Sequence, residues 1–309
     1  MTPSINPNSE IFLTNLQQIE NRISIAERQL SSGLRVSVAS DAPDQISSIL
    51  QLRAQIAGVQ QTQQNLSNVT PQVQSGENAI QQAIQVLDTA TSLAVEAAGN
   101  TSSASQQQEE IPQVQGILQQ LLSLSQTSVN GQYIFSGDQS EQPQYTMAAD
   151  GNSVQQMFEA GSPPQIEDAN GVKISIGLTA QQIFDDQVGG APGTGNPAPD
   201  NVFAAVSGLL TALQNNDSPG IQTAVTNIQA ASAHLNDVSS FYGAAQNNLA
   251  AASNSANQTL IQVQQQLSNE QDADAAQSAL DLTTANTAQQ AAMSAQAMLK
   301  PQSLFNYLA

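Results

Sequence analysis

The 309-residue chain has no cysteine and no tryptophan, one histidine, and six lysines and arginines against 25 aspartates and glutamates. Each shortage closes a class of function. Without thiols there is no disulfide framework, thiol nucleophile or zinc thiolate site. With His234 as the whole imidazole supply, Cys–His catalysis is excluded, and so is the two-histidine helix of the zinc proteases. A formal charge of −19 argues against nucleic acid and anionic membrane as partners, because neutralising phosphates takes clustered cations. No apolar run reaches the 18 or so residues of a membrane helix. The start, "MTPSINPNSEIFLTNL", lacks the basic lead and continuous apolar core of a secretory signal. Charged residues make up only 10% of the chain, against roughly 25% in ordinary soluble domains. Gln, Asn, Ser and Thr fill the gap, and such uncharged polar surface costs less to desolvate against other protein.

What the chain does have is heptad periodicity. Phe12, Leu16, Ile19, Ile23, Ala26 and Leu30 alternate spacings of four and three, the pattern of a coiled-coil seam. A longer series runs Leu52, Ile56, Val59, Leu66, Val73, Ile80, Ile84 and Leu87, with polar Gln63, Thr70 and Glu77 at intermediate seam positions. Pro71 removes a helical hydrogen bond and is expected to kink or divide this stretch. A third series, Ile111, Val114, Leu118 and Leu121, extends to about Val129. Helical patterning returns from Val202 to Leu213, breaks at "NNDSPG", and then lasts nearly to the end through Ile221, Val225, Ile228, Leu235, Val238, Tyr242, Ala245 and Leu249.

Between these halves, over about residues 131–200, the helical period stops. Val172, Ile174 and Ile176 alternate as a strand with one buried face, and Asp150-Gly151 and Asn170-Gly171 are hairpin-turn dipeptides. "GGAPGTGNPAPDN" (189–201) reads as a linker. The expected fold is therefore mainly α: an elongated antiparallel helical bundle or coiled coil built from both chain ends, with a small β-rich inserted domain. Because both heptad halves lie outside it, the insert is expected to be separable, with residues 141–198 replaceable by a short linker.

No constellation supports catalysis or a cofactor. "IEDANG" and "FDDQ" lack the ligand spacing of a calcium loop, and "GGAPGTG" lacks the lysine of a phosphate cradle. His234 reads as a helix-surface or seam residue.

The stretch "QLSSGLRVSVASDAPDQI" (29–46) links two helical series. Gly33 suits a left-handed helix C-terminus. Asp41 reads as the cap of the next helix, with Pro43 in its first turn and Asp44 favouring its N-terminal dipole. That leaves Arg35 unaccounted for. Arg22, Arg28, Arg35 and Arg53 all lie in the first 53 residues, where an even spread would put roughly one. The cluster suggests that this end meets acidic surface on a neighbouring molecule.

"LSSGLRVSVASDAPDQISSIL" resembles the N-terminal signature of the bacterial flagellins and their relatives, with Ile56, Gly58, Asn65 and Glu77 continuing the pattern. Within that family "VNGQYIFSGDQ" (129–139) and the ending "SLFNYLA" look like the hook–filament junction branch rather than flagellin itself. Ala42 departs from that branch's usual Asp-Asp-Pro and leaves Asp41 and Asp44 to serve.

The resemblance implies a non-enzymatic structural protein of the extracellular flagellum, exported without a cleaved signal by the flagellar export apparatus and its chaperone. It implies a homo-oligomeric ring between hook-associated protein 1 and flagellin, with the filament subunit as the alternative role. Residues 1–42 and 268–309 would form an inner axial layer, 43–136 with 201–267 a helical rod, and 137–200 the insert and linker. The assembly interface would comprise Leu16, Ile19, Ile23, Leu30, Gly33, Leu34, Arg35, Asp41, Pro43, Leu299, Leu304, Phe305, Tyr307 and Leu308. No cofactor or metal is expected.

Overall fold

A computed structural model describes residues 7–99, 104–159, 161–188 and 196–298 of the chain. Three helices come first: α1 (Pro7–Ser32), α2 (Ile46–Ala97) and α3 (Ala104–Ser125). Four two-stranded antiparallel hairpins follow: β1 (Ser128–Val129) with β2 (Gln132–Tyr133), β3 (Tyr145–Met147) with β4 (Val154–Gln156), β5 (Gln165–Glu167) with β6 (Lys173–Ser175), and β7 (Gln187–Val188) with β8 (Asn196–Pro197). The short α4 (Ala180–Phe184) lies between β6 and β7, and α5 (Val202–Gln214), α6 (Ser218–Gln271) and α7 (Ala275–Met298) complete the order. The chain is thus mainly α, with long helices from both ends and a small antiparallel insert, as the periodicity predicts.

Contacts divide the chain into two units, one of residues up to Ala57 together with those from Leu260, the other Gly58–Thr259. In the second unit α2 and α6 run antiparallel. Gln63 Nε2 donates to Asn257 Oδ1 at 2.6 Å, while farther along α2 Glu77 accepts from Gln246, which is earlier in α6. The predicted seams are the core: Leu66, Val73, Ile80 and Leu87 of α2 are buried against Val114, Leu118 and Leu121 of α3 and Ile228, Leu235, Val238 and Leu249 of α6. α5 is buried along its length through Val202, Val206, Leu209, Leu210 and Leu213, and its N-terminus is capped by Asn201, whose Oδ1 accepts from Ala204 N at 2.8 Å.

The insert is no separate body. Phe135, Tyr145, Ile176, Ile183 and Phe184 belong to the same buried cluster as the helices. Phe184 stacks on Phe203 of α5 with ring centroids 5.6 Å apart, and Phe135 meets Tyr242 of α6 edge to face at 6.4 Å. Tyr145 OH donates to Asp185 Oδ2 at 2.9 Å, and Asn201 Nδ2 donates to Asp185 Oδ1 at 2.7 Å, tying β3 and the end of α4 to the α5 cap. This shared packing runs against the expectation of a separable insert, since its two- and three-residue strands do not bury these rings by themselves. His234 is likewise more than a seam residue: its Nε2 lies 3.0 Å from Gln182 O and its Nδ1 3.7 Å from Asp200 Oδ2.

Other expectations change at particular residues. Pro71 does not divide α2, which is helical throughout from Ile46 to Ala97. Pro71 and Ser67, whose carbonyl loses its amide partner, are both exposed, so that carbonyl can be hydrated. The hairpin dipeptides hold, with Gly151 and Gly171 at φ 68° and 80°. Asn130-Gly131, not singled out in the sequence, turns β1 into β2 with both residues at positive φ. Of the alternating trio, Ile176 is buried but Val172 is 58% exposed. Finally, the C-terminal helical run breaks a second time, at Asp272–Asp274, between α6 and α7.

Candidate assembly surface

In the unit formed by the two ends of the described chain, α1 packs against α7. The last turn of α1 lies beside the first turn of α7, where Ser278 Oγ and Gln29 Oε1 are 3.3 Å apart. The α1 seam is only partly covered: Phe12, Leu16, Ile19 and Ile23 are half-buried, Ala26 is buried, and Leu30 is 46% exposed. On α7 only Ser278 and Ala285 are buried, so the alanine-rich stretch from 285 is mostly uncovered. Ile11, Leu13, Ile25, Leu280, Met293 and Met298 are all more than two-fifths exposed. Two helices alone cannot close an apolar seam on every side, and this pair leaves these apolar side chains uncovered.

The connection from α1 to α2 is a clasp on the α6–α7 break. Gly33, at φ 71°, ends α1 in the left-handed conformation, its amide donating to Gln29 O at 2.8 Å. Gly33 O then accepts from Ala273 N at 2.9 Å, Leu34 bridges Asp272, and the amides of Arg35 and Val36 both donate to Gln271 O. Gln271 is buried and its Nε2 returns a hydrogen bond to Val36 O at 3.4 Å. Val36, Ala42 and Ile49 form a small core under this clasp, with Leu267 against it.

Arg35 finds its partners inside the chain. Its Nη2 donates to Gln45 Oε1 at 2.7 Å and to the backbone carbonyl of Glu270. The guanidinium therefore ties the loop both to the segment leading into α2 and to the end of α6. Asp41 is not the cap of α2, which starts only at Ile46. Its Oδ2 instead accepts from Ser37 N and Val38 N, both at 3.0 Å, and from Ser37 Oγ at 3.1 Å, clasping the turn before it. These amide donors, Val38 first and then Ser37, hold the Asp41 carboxyl below the usual aspartate range. Ala42 does the work nearest the helix start, its carbonyl accepting from Gln45 N and Ile46 N. Pro43 is exposed beside it.

Arg28 lies 3.8 Å from Asp41, and both arginines, with Ser37 and Ser40, border a hollow of about 250 Å³ on the clasp. Of the expected residues, Leu34, Arg35 and Asp41 line this hollow; Leu30 and Gly33 lie at the end of α1, Pro43 follows in the loop, and Leu16, Ile19 and Ile23 lie along α1. Leu299, Leu304, Phe305, Tyr307 and Leu308 lie outside the described residues. What the sequence could not show is the opposite half of the clasp, Glu270 to Ala273, which is 235 residues from Arg35 and has no motif of its own. Among the described residues there is no group of three or more His, Asp or Glu side chains placed to hold a metal ion. No described helix is long and apolar enough to cross a membrane.

Two family models match: the bacterial flagellin N-terminal helical region over residues 4–140, and the bacterial flagellin C-terminal helical region over residues 225–308. Flagellin B of Helicobacter pylori is 29% identical over 140 residues, which is 44% of this chain and only 27% of that protein. A structure described as a flagellar hook-associated protein of Vibrio parahaemolyticus superposes with a TM-score of 0.62, at 17% identity, over 75% of this chain and all of that one. Flagellar hook associated protein-3 of Legionella pneumophila gives a TM-score of 0.58 at 16% identity, over 72% of this chain and 98% of that one. At such identities these two likenesses establish a shared fold. The two terminal helical regions, which carry the clasp and the open seam, are those that the models match, and the chain belongs to the bacterial flagellin family.

Proposed function

We propose that the chain is a structural subunit of the bacterial flagellum, the junction subunit that joins hook to filament. The observation that carries this reading is the set of uncovered apolar side chains on α1 and α7, in a chain whose fold is shared with hook-associated proteins. A pair of helices with that much uncovered apolar surface is completed by other subunits. Residues 1–42 and 268–309 form the inner layer of the assembly, and Leu16, Ile19, Ile23, Leu30 and Leu34 are its contacts. Leu299, Leu304, Phe305, Tyr307 and Leu308 extend those contacts from the C-terminal end. Gly33, Arg35, Asp41 and Pro43 fix the shape of the loop that carries them. The neighbours are further copies in a ring, hook-associated protein 1 on one side and flagellin on the other. The chain reaches them through the flagellar export apparatus, outside the cell and without catalysing a reaction.

The filament subunit is the second reading, favoured by the match to Flagellin B. Labelled antibody on intact flagella separates the two: one band beside the hook is expected, and label along the whole filament would replace the junction by the filament. Deleting residues 302–309 should leave the protein secreted but unincorporated, with flagellin released as monomer. Normal swimming would remove that end from the assembly surface.

A further inference from the structure

His234, the one imidazole in the chain, stands on α6 where α4 and the approach to α5 both face it. Its Nε2 lies 3.0 Å from Gln182 O, and a carbonyl only accepts, so this nitrogen carries a proton. Its Nδ1 lies 3.7 Å from Asp200 Oδ2, and an ionised carboxylate also only accepts. Both ring nitrogens therefore look at acceptors. A neutral imidazole has one N–H and answers one of them, whereas an imidazolium has two and answers both. Asp200 directly precedes Asn201, whose Oδ1 caps α5 through Ala204 N and whose Nδ2 holds Asp185 Oδ1 and Asp186 O. The ring thus spans α6, α4 and the turn that starts α5.

Among the described residues, Asp200 is the one carboxylate within ion-pair distance of the ring. At the end of α4, Asp185 is already bound by Tyr145 OH, Gln187 Nε2 and Asn201 Nδ2. Its neighbour Asp186 is tied through its carbonyl to Ala198 N and Asn201 Nδ2. α5 carries no ionisable residue. Asp237, one turn along α6, and Asp88, at about this level of α2, are exposed. Lys173 of β6 forms no ion pair with any of these carboxylates. The group that answers to a charge on the ring is Asp200.

We propose that His234 is a proton-operated latch between α6 and the start of α5, closed on Asp200 when the ring is doubly protonated and released when it is neutral. Histidine changes charge between about pH 5 and 8, a range that its unperturbed side chain alone covers. The sign follows from the geometry. The second N–H exists only in the protonated ring, so the contact is complete at the acid end of that range and is lost as pH rises. What loosens is the first turn of α5, because Asp200 adjoins its cap, while the Nε2 bond to Gln182 O survives in both states. The opening is that of one helical turn and not of the whole core. The latch does not depend on where in the flagellum the subunit sits.

The test is hydrogen exchange at Ala204 and Ala205 of the full chain, whose amides donate to Asn201. Rates are measured across that pH range and divided by the intrinsic rate at each pH. Every chain carries Glu110→Gln, so that the buried carboxyl of α3 does not titrate alongside the ring. Protection should fall about two- to fivefold from the acid to the alkaline end, the size of a partly exposed ion pair. It should follow the same curve as the ring protons of His234, which are unambiguous because the chain has no other histidine. Asp200→Asn should give flat protection while the ring still titrates. His234→Gln, whose amide can still donate to Gln182 O, should also be flat. Flat protection with His234 and Asp200 both in place overturns the latch. A fall that persists in Asp200→Asn or in His234→Gln overturns it too, because the proton then acts through another group.

Discussion

At the scale of single residues, the basic cluster turns inward more than the sequence suggests. Arg35 holds Gln45 and the Glu270 carbonyl, so Arg35→Ala should loosen the clasp in the isolated subunit, at a cost of about 1–2 kcal/mol for charge-assisted bonds in an exposed setting. Hydrogen exchange at Val36 and Ala273 should accelerate accordingly, and Arg35→Lys should restore protection only in part, because an ammonium lacks the planar fork. Unchanged exchange in Arg35→Ala would mean that the backbone ladder alone holds the joint. Glu110 presents the opposite case. It is 6% exposed, its Oε2 has no hydrogen-bond partner among the described residues, and desolvation, with help from the charge of Glu96, pushes its carboxyl up. A raised folded-state value means that its stabilising protonation is complete below the ordinary glutamate range and is lost as pH rises through the raised value. Asp41 and Asp168, both lowered by backbone amides, behave the other way. Their contributions are present above the ordinary aspartate value and vanish as pH falls through the lowered one. Thermal melts should therefore improve on mild acidification from neutrality and then worsen in stronger acid. Glu110→Gln should melt higher than the parent at pH 7 and lack the first rise; an unchanged melt at pH 7 would mean that Glu110 is already relieved by solvent.

At the scale of elements, the seams were readable because heptad spacing is local: nearly every apolar residue of the α2 and α6 series lies where the period puts it. The hairpins at Asp150-Gly151 and Asn170-Gly171 were equally plain, since the positive φ each turn needs falls on a glycine that follows a polar turn residue. Contacts across long separations were not. Phe184 on Phe203, Tyr145 on Asp185 and His234 beside Gln182 involve residues that no local pattern connects. Pro71 misled for a related reason: its cost depends on whether the orphaned Ser67 carbonyl faces water, and that is a property of packing. The shared core gives two predictions for α2, the insert and α5. Phe184→Ala should destabilise the central unit by about 3–5 kcal/mol, as for other buried aromatics. Replacing residues 141–198 with a Gly-Ser linker should abolish cooperative melting of that unit, followed by near-ultraviolet circular dichroism on the tyrosines. A linker variant that melts like the parent would restore the insert to a separable domain. Gly76→Ala belongs here too. A Cβ at Gly76 would come within 2.6 Å of Tyr242 Cε1, inside a ring that is 2% exposed, whereas one at Gly58 meets nothing within 4 Å. Gly76→Ala should thus lower stability, while Gly58→Ala should raise it by about 0.5–1 kcal/mol.

For the molecule as a whole, the uneven division of charge sets how association responds to salt. All four arginines lie in the first 53 residues, while residues 58–259 hold sixteen carboxylates and one lysine. Added salt screens repulsion between such units, so sedimentation should show association strengthening from about 0.05 to 0.5 M salt. Weakening over that range would instead mark a contact dominated by the arginines. The clasp has a further consequence, for the order in which the chain folds. Arg35 and Glu270 are 235 residues apart, and drawing them together in an open chain is opposed by the entropy of closing so large a loop. Once Gln63 has met Asn257, a pairing across 194 residues, only about forty residues remain to be closed. On the logarithmic law that lowers the cost by roughly 1.5 kcal/mol, a little over tenfold in the closing equilibrium. The clasp is therefore a late event: the antiparallel helices zip first, and the chain ends become a joint only after the middle has brought them within reach.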